Sequence, residues 1–379
     1  MTTGATGGES PAHAAAAAAG LAEIDRSIHR QRARDLLGDR VDGLMVTSGP
    51  NLRWLTGFTG SAGTALLTPD ELVLVTDERY RDQAEDQVDG AAVRVVVTRE
   101  LREPVREVFE GAAIVALEAD DVSWELHERV ADEWLPQVGL VPLAPSLRTL
   151  RSTKQPAEVV RIRRAAEITD AALAEVLTGG LVGRTEAWLA WEIEGRMRDA
   201  GANRAGYDLI VASGANGARP HHGADQKVIE PDELVVIDVG AEVDGYRSDM
   251  TRTYVTGSPT ARQEQLLDTV TRAQEAGVAA ARVGAVGSEV DRACRDVLAG
   301  DGLAEAFVHG VGHGVGLEIH EPPMLGSQSA AVLEADWVVT VEPGVYFAEE
   351  GGVRVEDTVV ITEDGAQRLT RAPKDPVLG

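Results

Sequence analysis

The sequence predicts an α/β (α+β) protein built from two domains. Three observations carry that expectation. The chain has 379 residues, more than one ordinary domain holds. Its first half alternates short apolar runs with helical stretches, the pattern of an α/β layer. Its second half opens on a long helical repeat and continues as strands and hairpins between further helices. Hydrophobic residues make up 44% and aromatics only 4%. A core of ordinary size is therefore available, and Ala, Val and Leu must fill most of it.

Residues 1–20 contain an Ala run with no basic segment ahead of it. They read as a tail and not as a signal peptide. Residues 22–38 have the spacing of an amphipathic helix. GLMVTS, GTALLT and ELVLVT read as strands, DERYRDQAEDQV as a helix, and VRVVVT and AIVALE as further strands. The Gly-rich stretch GFTGSAG is not a phosphate loop, because it lacks the GK[ST] ending and the following helix. Pro145 and Pro156 bound a break, so a first domain is expected over 21–150 and a second over 151–379. Helices are expected over 157–178, 185–200, 260–281 and 287–299.

The formal net charge of −26 argues against nucleic-acid or anionic-membrane partners, which need a basic face. No run reaches the length that spans a bilayer. The single cysteine, Cys294, forbids an intrachain disulfide and fits a reducing compartment. It lies in a helical pattern and reads as a small buried side chain. A cytoplasmic location is expected.

The chemistry concentrates in the last 150 residues. In LVVIDVGAEVDGYRSDMTRTYV two strand-like runs flank Asp244-Gly245, a dipeptide suited to a two-residue hairpin turn. That turn sets a register with Asp238 opposite Thr251 and Gly240 opposite Asp249. Asp238 and Asp249 then share one face, and Thr251 on that face could bond a ligand or a water. WVVTVEPGVYF reads as a strand ending in a turn at Pro343-Gly344 and GVRVEDTVVIT as another strand; Glu342 and Glu356 approach each other if the two join one sheet. A carboxylate inside an apolar strand is costly unless paired or metal-bound. HGVGHGVGLEIHE carries His309, His313 and His320, and its glycines argue against a helix. Singly, each motif has an ordinary structural explanation as a cap, an ion pair or a buried histidine. Together, Asp238, Asp249, His313, Glu342 and Glu356 form a hard-to-borderline donor set. It suits two divalent ions, because carboxylates can bridge.

These motifs resemble the pita-bread metallopeptidases, which include methionine aminopeptidase, aminopeptidase P, prolidase and the metal-free creatinase. The resemblance runs from the helical repeat at 157–178 to the C-terminus. Through NLRWLTGFTGSAG and TDERYRDQAEDQ the first half resembles the creatinase-type N-terminal domain, which accompanies the proline-specific branch. The resemblance implies that Asp238 holds one metal, that His313 and Glu342 hold the second, and that Asp249 and Glu356 bridge them. It implies manganese, with cobalt or zinc as working substitutes. His221, seventeen residues before Asp238, matches a substrate-contacting histidine. His222 is the one-residue alternative and is otherwise expected to be solvated. His320 matches a second catalytic histidine. His309 matches one that lines the substrate pocket, with a buried structural role as the alternative. Arg354 matches an arginine that orients a metal carboxylate beside the substrate, and Glu342 a proton carrier.

The implied activity is that of an Xaa-Pro aminopeptidase acting on peptides with proline at position two. The alternative is an Xaa-Pro dipeptidase. A metal-free creatinase-like hydrolase, or a fold kept without catalysis, fits poorly with five intact ligands. Some prolidases carry an arginine four residues after the histidine matching His320, where this chain has Met324. The family also implies a homodimer in which the N-terminal domain borders the partner's active site. Trp54, Arg79 and Tyr80 are the candidates for that contact, with core packing the alternative for Trp54.

Overall fold

The computed structural model describes residues 20–375. The tail expected over 1–20 lies outside these except for Gly20. Two compact units divide the chain, Met1–Leu150 and Arg151–Gly379.

The N-terminal unit is a six-stranded mixed sheet. Its strands run in the order Arg94–Val97, Leu72–Thr76, Gly63–Leu67, Gly43–Val46, Ile114–Leu117, Gly139–Pro142. The three consecutive strands from Gly43 to Thr76 pair antiparallel, and the outer pairings are parallel. The central strands are buried along their whole length, so their sequences read as unbroken apolar runs. Met45, Val73, Val75, Val115 and Leu117 pack with Val105, Phe109 and Trp134. Trp54 is only 1% exposed and stacks on His29 at 4.3 Å, so it is a core residue and not a rim contact. Arg79 is exposed and paired with Asp77, and the Tyr80 hydroxyl bonds Ser61.

The C-terminal unit opens on the helix Pro156–Leu177. Proline suits its first turn, and the Glu158 carboxylate accepts from Gln155 N at 2.7 Å. Helices Glu186–Asp199, Ala261–Ala280 and Gly287–Gly300 follow. The last two pack on strand residues Val339, Val341, Val353 and Val359. Cys294 sits buried in that core, as its helical pattern predicts. No helix among the described residues is long and apolar enough to cross a membrane.

Two hairpins carry the acidic residues. In the first, Asp244 and Gly245 have φ of 46° and 77°, the left-handed pair that a type I′ turn requires. The register follows, with Val243 opposite Tyr246 and Asp238 opposite Thr251. In the second, Val341 lies opposite Asp357 and Gly344 opposite Arg354. One register therefore runs through the whole hairpin and sets Glu342 opposite Glu356. The turn expected at Pro343-Gly344 does not form: the strand Val338–Val341 is interrupted there and resumes over Gly344–Phe347. Both arms of the hairpin break at the glutamates, where Pro343 has no N–H to give the ladder.

Candidate metal centre and active site

The breaks in the second hairpin are what assemble the site. Freed from the ladder, Glu342 N donates to Val311 O at 2.8 Å and Glu356 N to Thr251 O at 3.1 Å. The first bond ties the hairpin to the histidine segment, the second to the Asp238–Asp249 hairpin. The Thr251 hydroxyl completes the joint by donating to Glu356 Oε2 at 2.7 Å. Thr251 thus serves a carboxylate of the site, where the sequence suggested a ligand or a water.

His313 lies on the short strand Gly312–Gly314. A Cβ on Gly312 would fall 2.1 Å from Thr340 O, and one on Gly314 2.2 Å from Pro322 O. Only glycine lets the neighbouring strands close in on both sides of this histidine. His313 Nδ1 stands 3.0 Å from Gly314 O and donates to it, which leaves the Nε2 lone pair facing the acids. Nε2 lies 3.5 Å from Asp249 Oδ2 and 3.4 Å from Glu342 Oε1.

Asp238 is held on both oxygens. Tyr207 Oη is 2.5 Å from Oδ1, and Arg354 Nη2 is 2.6 Å from Oδ2. The same tyrosine hydroxyl lies 2.6 Å from Asp249 Oδ1. Arg354 is buried, and its other nitrogens donate to Thr251 Oγ1, Tyr346 Oη and Pro220 O. It donates to a carboxylate of the cluster.

A divalent cation fits this donor set. One donor atom each from Asp249, His313 and Glu356 lies within 4.8 Å of the others. Glu356 Oε1 is a buried carboxylate oxygen without a hydrogen-bond partner. Burial first, and then repulsion from the neighbouring acids, pushes Asp249 and Glu356 well above the usual carboxylate range. Buried acids that repel one another call for positive charge, and the imidazole lone pair adds the borderline donor.

All five acidic and imidazole candidates line one cavity of about 1040 Å³, together with His221, His309, His320 and Arg354. His221 is exposed to it. The His320 ring stands edge-on to His313 at 4.4 Å, and burial holds it below the ordinary imidazole value. His309 Nε2 meets Tyr346 Oη at 2.9 Å, and burial lowers it too. His222 departs from expectation. It is buried, with Nε2 2.8 Å from Glu186 Oε2. A solvated neighbour would not satisfy that carboxylate.

Tyr207, Tyr346 and Thr340 were missed in the sequence. Tyr346 falls beyond the turn expected at Pro343-Gly344, and Tyr207 stands alone before a short strand. In a chain so poor in aromatics, Tyr346 close to Glu342 is an available signal, while Tyr207, 31 residues before Asp238, offers none.

The motif spacing and this geometry agree with a family model, Metallopeptidase family M24, that matches residues 160–363. The chain belongs to metallopeptidase family M24. Residues 29–153 match the Creatinase/Prolidase N-terminal domain, so the fold of both halves is as the resemblance implied. This M24 protein is 39% identical over 351 residues to an uncharacterized peptidase, YqhT, of Bacillus subtilis, covering 92% of this chain and 99% of the relative. Among solved structures, an Xaa-Pro dipeptidase from Bacillus anthracis superposes with a TM-score of 0.88 at 34% identity, covering 93% of this chain and 99% of the other. An X-Pro aminopeptidase from Thermotoga maritima does so with 0.85 at 30%, covering 92% and 99%.

Proposed function

We propose that this M24 metallopeptidase is an Xaa-Pro aminopeptidase that uses two divalent ions, manganese first among the candidates. The observation that carries the choice is the absence of an uncommitted cation among the described residues lining the cavity. An X-Pro dipeptide presents a free carboxylate next to the scissile bond and calls for a positive partner. Both cavity arginines are engaged. Arg354 serves Asp238, while Arg295 pairs with Asp291 and donates to Phe307 O and His309 O. Met324 is 59% exposed where some prolidases carry an arginine. A longer peptide presents a neutral peptide bond there and needs no cation.

Asp238, Asp249, His313, Glu342 and Glu356 would hold the ions. Bound there, they would lower the pKa of a water and polarise a carbonyl. The rest falls to the chain. His221 contacts and places the substrate. His320, as a neutral imidazole, gives an N–H to the developing oxyanion. Glu342, whose Oε1 lies 3.2 Å from the Thr340 hydroxyl, takes the nucleophile's proton and passes it to the leaving proline nitrogen. That nitrogen belongs to a tertiary amide and leaves only once protonated. Proline has no N–H and a fixed φ, which bars X-Pro bonds from proteases that bind substrates as strands.

The second reading is an Xaa-Pro dipeptidase, favoured by the activity named for the Bacillus anthracis relative. Hydrolysis of Gly-Pro and of an X-Pro-Y tripeptide, by metal-stripped protein before and after manganese, decides between them. Manganese-dependent release of X from the tripeptide, with little dipeptide cleavage, is the expected result. Preference for the dipeptide moves the assignment to prolidase. No cleavage of either by metal-loaded protein removes both readings. The homodimer rests on the resemblance, and light scattering tests it.

A further inference from the structure

We propose that Glu186, a residue outside the metal centre, is a positioning residue that fixes the loop presenting His221 to the substrate. The inference rests on the substrate-contacting role given to His221 above. Glu186 is the first residue of the helix Glu186–Asp199 and is fully buried. Its carboxylate accepts from four residues of the segment 213–225. Oε1 takes Ser213 N at 2.7 Å and Ser213 Oγ at 2.8 Å. Asn216 Nδ2 reaches both oxygens, at 3.2 and 3.1 Å. Oε2 takes His222 Nε2 at 2.8 Å and Asp225 N at 3.5 Å.

These donors span the end of a strand, a 3₁₀ turn and the return of the loop. His221 sits between them with its own side chain free to face the cavity. The backbone is latched to the same helix start, since Glu186 N donates to Lys227 O and Ala187 N to Asp225 O. No lysine or arginine donates to Glu186 among the described residues. The buried anion is satisfied by the loop itself, so each loop segment is held by an obligatory bond. Lys227 adds charge one bond away, donating to Ser213 Oγ at 2.8 Å and to Glu233. His221 and His222 therefore divide the work. Both line the cavity, but the His221 ring is exposed to it, while the buried His222 ring anchors the loop through Glu186.

The test compares His222→Leu, His222→Gln and Glu186→Gln in manganese-loaded protein with an X-Pro-Y substrate. A glutamine at 222 places an amide N–H where His222 has Nε2, and leucine does not. His222→Leu and Glu186→Gln are expected to lower kcat/KM about tenfold or more, because a displaced positioning group is costly. His222→Gln should stay within about threefold of wild type on the same argument. In a His221→Ala background neither damaging variant should cost anything further, because coupled residues are non-additive. Additive losses in that background, or a His222→Gln variant as impaired as His222→Leu, would overturn the proposal. Wild-type turnover is the control for the function itself. If wild type cleaves no X-Pro substrate, the proposed function fails separately, and ¹⁵N-histidine spectra then decide. The His221 ring resonances should broaden in His222→Leu and remain sharp in His222→Gln. Unchanged His221 resonances in His222→Leu would sink the positioning role.

Discussion

Arg354 Nη2 lies 2.6 Å from Asp238 Oδ2, although 116 residues separate the two in the chain. The guanidinium fork also bonds Thr251 and Tyr346, and so couples both hairpins to one carboxylate. A lysine offers a single point of charge and cannot reproduce this planar pattern. Arg354→Lys should weaken manganese binding about 10- to 100-fold, the range for a partner that orients a metal ligand. Competition titration with a metallochromic chelator measures it. Unchanged affinity would remove Arg354 from the metal centre.

Metal removal should make stability strongly pH-dependent. In the metal-free fold Asp249 and Glu356 titrate well above their ordinary values of 3.8 and 4.5. The folded state therefore keeps protons that the unfolded chain has released. Stability is full below those ordinary values and falls as pH rises above them. The melting temperature of chelator-treated protein should drop as pH rises above those ordinary values, and manganese should restore it. Glu356→Gln should melt higher than wild type when metal-free, gain less from manganese and lose activity. A metal-free melting curve indifferent to pH would contradict the buried repulsion.

A separate pH response belongs to the N-terminal unit. Glu118 caps the start of the helix Gly49–Thr56, accepting from Thr47 N at 2.7 Å, Ser48 N at 2.9 Å and the Asn51 amide. Burial nonetheless pushes it up from 4.5 to about 7. The sign is again that of a raised folded value. The unit should lose stability, on the order of 3 kcal/mol, as pH climbs from 4.5 towards 7. Amide exchange at Thr47 and Ser48 reads this out. Glu118→Gln should flatten the response.

Glu321, which follows His320, forms a buried ion pair with Lys154 at 2.9 Å, and both side chains are 1% exposed. Arg151 joins the pair, at 2.8 Å from Glu321. Glu321→Ala would strand the lysine and should cost about 3–5 kcal/mol in urea unfolding. Lys154→Met combined with Glu321→Leu should recover much of that loss, because a packed apolar pair carries no desolvation penalty. Additive losses in the double variant would contradict the pairing.

Local pattern carries the four long helices of the C-terminal unit, five of the six N-terminal strands and the first hairpin, but not the strand Gly139–Pro142 or the short helices Gly49–Thr56, Arg102–Val108 and Trp124–Arg129. Asp244-Gly245 selects its own turn, and a two-residue turn leaves one register, so Asp238 had to meet Thr251. The second hairpin was only half legible. The approach of Glu342 to Glu356 follows once the strands share a sheet, but no local signal sets their register, and the breaks at both glutamates depend on Val311 and Thr251 offering carbonyls to the released N–H groups. His222 was misjudged for a similar reason. Its partner Glu186 lies 36 residues earlier, and nothing near His222 announces a buried carboxylate.

The sequence by itself determined which side chains could bind metal, which faces they share along a hairpin, and the family to which their spacing belongs. These follow from periodicity and turn chemistry, which act over a few residues. Only the tertiary structure decided how the carboxylates are held: Tyr207 between Asp238 and Asp249, Arg354 on Asp238, Thr251 on Glu356, and His222 on Glu186. Each of these bonds satisfies a buried polar group with a partner distant in the chain. Burial makes such bonds obligatory, but packing alone selects the partner.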